Sequence, residues 1–232
     1  MAMTTELAGG ALYRLMTWLS PAYPVGAFSY SHGLEYAIEA GLIRDRDSTR
    51  DWLHDVLRFG GGSNDGVFLV SAHRAAAQGD RAGLREVAEL AAAFAPSAEL
   101  ALETGAQGAA FIRVTRDAWA CDALDWLIED WRGPYAYPVA VGAAAAGHGI
   151  ARDRALLGYL LGFAANLVSA AVRLVPLGQS DGQRVTAALE PTILQTVARL
   201  GDATLGDAGA ATVLNDICSM LHETQYTRLF RS

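Results

Sequence analysis

Lysine is missing from this 232-residue chain: all 18 basic residues are arginine. That absence excludes a P-loop, whose lysine reaches the phosphates, together with a pyridoxal Schiff base, a kinase-type ATP lysine and a lysine nucleophile. Charge is sparse as well, at 19% of residues against 52% hydrophobic, and 25 acids leave a net charge of −7. This balance argues against a nucleic-acid partner, because phosphate neutralisation dominates such binding. Cysteine is scarce and unpatterned, with only Cys121 and Cys218. Two isolated thiols fit a reducing, cytoplasmic setting better than a disulfide scaffold. No positively charged stretch precedes Arg14, so no signal peptide is expected.

What is present is alanine-rich helical periodicity. Leu12, Leu15, Met16 and Leu19 form an i, i+3, i+4, i+7 stripe that stops at Ser20-Pro21. Ser48 with Asp51 predicts a capping box ahead of Trp52, Leu53, Val56 and Leu57. Asp65, Ser97, Asp153 and Asp181 are expected to open further helices, and Pro191 to kink or restart the one it sits in. Gly60-Gly61-Gly62 reads as a loop, and Val213, Ile217, Met220 and Leu221 mark a last amphipathic helix. Ala155–Val172 is uncharged for eighteen residues, near the lower limit for a membrane span. Its length and lack of a second span favour a buried core helix, so no membrane is expected. The fold class expected is all-α: a single compact domain over 1–232 of roughly ten packed helices, with an extended C-terminal tail at 226–232.

No catalytic constellation assembles from local motifs. His222-Glu223-Thr224-Gln225-Tyr226 starts like a zincin helix, but Tyr226 stands where HExxH needs its second histidine. Ser29 and Ser31 lack a GxSxG elbow and read more simply as helix caps. The five histidines never fall at i, i+4, so neither a metal site nor a catalytic set is legible. The alternative of a small helical enzyme would rest on His32, Glu35 or His222. In the tail, Tyr226, Leu229 and Phe230 alternate with Arg228 and Arg231. Such a segment either stands out as an interface anchor or folds back on its own core.

Three blocks carry a family likeness: SPAYPVGAFSYSHGLE at Ser20–Glu35, NLVSAAVRLVPLGQSDGQR at Asn166–Arg184, and HETQYTRLFRS at His222–Ser232. In order and spacing they resemble the urease accessory protein UreF family, covering about a fifth of the chain directly. The departures are Tyr23 for a frequent leucine, Leu221 for arginine and Thr227 for serine. The resemblance implies a non-catalytic, all-α homodimer that binds the accessory protein UreD (also called UreH). It implies further that the complex recruits the GTPase UreG and docks on apo-urease for nickel insertion. Nickel and GTP would then be handled by partners, with no metal or cofactor bound by this chain.

By the same resemblance, His222, Glu223, Tyr226, Arg228, Leu229, Phe230 and Arg231 contact UreD. Tyr30 and Glu35 in the first block, with Arg173, Gln179 and Arg184 in the second, are recognition or core-ordering elements. An arginine acting in trans on the GTPase is one role that Arg173, Arg184, Arg228 or Arg231 could fill.

Overall fold

The computed structural model describes residues 2–232, with side chains from Gly9 onward. Among the described residues eleven α-helices follow one another: α1 (Ala2–Trp18), α2 (Leu34–Glu39), α3 (Arg46–Phe59), α4 (Gly61–Ala77), α5 (Arg81–Ala93), α6 (Ala98–Ala118), α7 (Asp122–Asp130), α8 (Tyr137–Gly147), α9 (Arg152–Leu174), α10 (Gln179–Leu200) and α11 (Val213–His222). Short 3-10 turns lie at Ala27–Ser29 and Leu205–Asp207, and no strand occurs among the described residues. The fold is all-α, as the periodicity required.

At the centre, α8 packs along α4 and against α6. Every residue from Pro138 to Ala145 is buried, which explains why this stretch shows no polar face. Small residues let the two backbones meet: a Cβ at Gly142 would clash with the Leu69 carbonyl oxygen. The uncharged run at Ala155–Val172 lies within α9, and half of that helix's apolar window is buried inside the fold. Gly158 and Gly162 on α9 receive α1, with a Cβ at Gly158 falling 2.8 Å from Leu19. The Gly-x-x-x-Gly pair is thus used for a close approach within this chain.

The helix starts correct several expectations. Ser97 caps α6 as expected, accepting from Leu100 N–H at 3.1 Å. The box on α3 lies one turn earlier than Ser48–Asp51: Asp45 accepts from Ser48 N–H at 2.8 Å while Asp45 N–H reaches the Ser48 hydroxyl at 3.1 Å. Asp65 is interior to α4, because that helix already begins at Gly61. Only Gly60 interrupts the chain there. Gly61 and Gly62 start α4 with no room for side chains, since a Cβ on them would lie 2.7 Å from His32 and 2.9 Å from Leu57. Asp153 and Asp181 stand in the first turns of α9 and α10 rather than at their caps, where their charge still suits the helix dipole. Helix α10 runs unbroken through Pro191. Its buried stripe of Val185, Leu189, Ile193 and Leu200 continues on both sides of the proline and outweighs the lost hydrogen bond.

Candidate functional site

Helix α11 is inverted. Its buried face is polar, with Asn215, Ser219 and His222 beside Cys218 at helical spacing. The stripe of Val213, Ile217, Met220 and Leu221, which periodicity would assign to a core, faces outward, with Val213 66% and Ile217 43% exposed. Each inward polar group has a partner. Asn215 Oδ1 accepts from Trp52 Nε1 at 3.1 Å, and Ser219 and Ser97 hydroxyls meet at 2.6 Å. Helix α11 presses so closely on the start of α2 that a Cβ at Gly33, already left-handed at φ +80°, would lie 2.9 Å from Ser219 N.

His222, fully buried at the end of α11, lies between two carboxylates. Nδ1 is 2.7 Å from Glu99 on α6, and Nε2 is 3.1 Å from Glu35 on α2. Both acids are buried as well, and a buried charge persists only where hydrogen bonds satisfy it. The tail supplies the remaining donors. Glu35 accepts from the backbone N–H groups of Leu229 at 2.7 Å and Phe230 at 2.9 Å, while Glu99 accepts from Arg228 at 2.9 Å. The last residue, Ser232, donates its hydroxyl to buried Glu103 at 2.8 Å, and its carbonyl accepts from Ser31 N–H at 2.7 Å and from the Ser31 hydroxyl. Arg231 N–H reaches the Ser29 carbonyl at 2.8 Å. The Phe230 ring is buried beneath the Arg173 guanidinium, 4.3 Å from its centroid.

Most of the sequence-selected residues therefore meet in one place. Tyr30, Glu35, Arg173, His222, Arg228, Leu229, Phe230 and Arg231 form or adjoin the seat of the tail, and Glu223 caps α6 by accepting from Ala98 N–H at 3.0 Å. Gln179 opens α10 and Arg184 pairs with Asp181 of the same helix, so neither bonds to the tail among the described residues. The tail is divided between core and surface. Phe230 and Ser232 are folded into the core, whereas Tyr226 is fully exposed and Leu229 is 64% exposed.

Glu99 and Glu103 stand in no local motif. Their one signal in the sequence is the i, i+4, i+8 stripe Glu99, Glu103, Gln107 on a face of α6 that also carries buried Leu100 and Phe111. Gly33, not Ser29 or Ser31, occupies the N-cap position of α2, but the Ser31 hydroxyl still accepts from Glu35 N–H in the first turn at 3.3 Å. Among the described residues, no three His, Cys, Asp or Glu side chains are grouped so as to hold a metal ion.

Fold and site together define an all-α protein that closes a buried acidic pocket with its own C-terminal tail and turns an apolar helix face outward. The UreF family model matches residues 43–190. Over 222 residues the chain is 56% identical to a urease accessory protein UreF of Rhodopseudomonas palustris strain BisB5, covering 96% of this chain and 91% of that one. A urease accessory protein UreF of Bradyrhizobium sp. strain BTAi1 is 55% identical over 231 residues, covering 100% and 96%. The chain belongs to the urease accessory protein UreF family.

Proposed function

We propose that the chain is a non-enzymatic scaffold in the cytoplasm for nickel insertion into apo-urease, binding UreD and recruiting and modulating the GTPase UreG. The observation that carries this reading is the outward apolar surface of α11 and the tail. Leu214, Ile217 and Leu221 stand exposed on the helix, and Tyr226 and Leu229 stand exposed on a segment whose backbone is fastened underneath. Exposed aromatic and aliphatic anchors on a pre-ordered backbone suit a protein partner, because little ordering entropy is left to lose on binding. UreD is the partner assigned to this face.

For UreG, Arg231 is the favoured arginine. Arg173, Arg184 and Arg228 are each engaged within the chain, whereas the Arg231 side chain is exposed. A second exposed apolar group, Leu12 and Met16 of α1 with Leu157 and Leu161 of α9, is assigned to the homodimer. In the enzyme alternative, His32, Glu35 or His222 would serve as reactive groups; the tail and Glu99 already occupy the polar atoms of Glu35 and His222, whereas His32 lines the groove.

Co-purification with the host's UreD, UreG and urease subunits tests the reading. Full-length chain is expected to retain UreD, and removal of Gln225–Ser232 to abolish retention while far-UV helicity is unchanged. Undiminished retention by the truncated chain would take the tail out of the account.

A further inference from the structure

The seat of the tail shares an atom with a second cluster of titratable groups. Beneath α1 and the Ser20–Phe28 loop lies a groove of about 1780 Å³, whose lining includes His32, Asp65, Glu103, Tyr159 and Asp216. His32 is the only residue other than glycine with positive φ among the described residues, at 59°. Such a backbone is uncommon outside glycine, and here it turns the chain from the segment bonded to the tail into α2. The imidazole Nδ1 lies 3.5 Å from Glu103 Oε2, within ion-pair reach when the ring is protonated. That same Oε2 accepts from Ser232.

We propose that His32 is a proton-operated latch for the C-terminal tail: its imidazolium draws and orients the Glu103 carboxylate that receives Ser232, and loss of the proton loosens the seat.

Every element packed around His32 presents a group that bears on this charge. Asp65 comes from α4, Glu103 from α6, Tyr159 from α9, bonded to Asp65 at 2.6 Å, and Asp216 from α11. The His32 and Phe163 rings, the latter on α9, meet at right angles with 5.1 Å between centroids. On the other side of the tail stand Glu35, Glu99 and His222, with Arg228 and Arg173. Burial opposes the His32 charge, but Glu103, Asp65 and Asp216 together outweigh it and raise the imidazole above its ordinary value.

Opening the tail admits water to the pair and lets the imidazole fall back toward that ordinary value. A group raised in the closed form favours closure below its ordinary pKa, and the benefit disappears as pH rises through the raised value. When His32 is neutral, Glu103, Asp65 and Asp216 lose the positive charge that each of them faces. The tail's end, held by a few hydrogen bonds, is the part free to yield.

Hydrogen–deuterium exchange on the full chain, corrected for intrinsic rates, tests the latch. Protection at Leu229, Phe230 and Arg231 is expected to fall about tenfold between pH 6 and pH 8.5, the scale of one proton-linked charge interaction, while α4 and α8 amides stay constant. His32→Asn, which tolerates the left-handed backbone, is expected to abolish the pH dependence, as is Glu103→Gln. A flat profile in the unaltered chain overturns the latch. So does an unchanged slope in His32→Asn, which would assign the effect to another group. Should the variants not fold, NMR titration of the His32 ring in the unaltered chain decides: its midpoint must coincide with that of the protection profile, and a mismatch overturns the proposal.

Discussion

Asp65 shows at the level of one residue how position changes the chemistry of a side chain. Its place ahead of an apolar run resembles a helix cap, where water would keep it ionised. Inside α4 it instead faces Tyr159 and the groove, and burial raises its pKa to about 6, despite the Tyr159 hydrogen bond and the nearby His32. The folded state therefore prefers the neutral carboxyl. As pH climbs from about 4 past 6, ionisation costs the fold a stabilisation that it retains at lower pH. Asp65→Asn keeps an acceptor for Tyr159 and removes the charge. It is expected to raise urea-unfolding stability at pH 8 by about 1–3 kcal/mol and to give no gain at pH 4. An equal effect at both pH values would contradict the burial argument. His222 carries the converse lesson. Its sequence context marks it as a non-zincin histidine near a helix end, but the two acids that hold it come from residues more than a hundred positions away. Pairings of that range leave no local spacing to read.

At the scale of elements, helix existence is legible in the sequence and helix polarity is not. Apolar periodicity locates α3, α6, α9 and α10, and Ser97 marks its own helix start. The α4 boundary escapes it because three glycines look like a breaker. Here they begin a helix pressed against His32 and Leu57, and the reason is tertiary packing rather than turn chemistry. Helix α11 is visible in the pattern, but with the opposite face inward. Its inversion depends on Glu35, Glu99 and Ser97 offering polar partners inside, which periodicity cannot register. The alanine- and glycine-rich centre makes a separate demand. Since Gly142 lets α8 meet the α4 backbone at Leu69, Gly142→Ala is expected to cost about 1–3 kcal/mol by overpacking, read as a lower urea midpoint with an unchanged slope. Stability equal to the parent would show that the two helices can separate freely.

For the whole molecule, the missing lysine and the folded tail point in one direction. Groups that GTP hydrolysis draws from a P-loop lysine cannot come from this chain. What the chain does present is a packed helical body, a tail fastened through its backbone, and apolar side chains left facing out. The resemblance in the sequence is sufficient to anticipate the family and the tail. It does not reveal that Phe230 and Ser232 are anchors inward while Tyr226 and Leu229 point outward, because that division depends on Glu35 and Glu103 gripping alternate parts of the tail. The central claim is that the outward side chains, and not the seat itself, contact UreD. Measuring UreD affinity for the Tyr226→Ala, Leu229→Ala double variant tests it most directly, with tail exchange protection followed alongside. The account predicts affinity weakened by about tenfold to a hundredfold, the loss of one or two interface anchors, with protection at Leu229–Arg231 intact. Undiminished affinity with the tail still seated would contradict it.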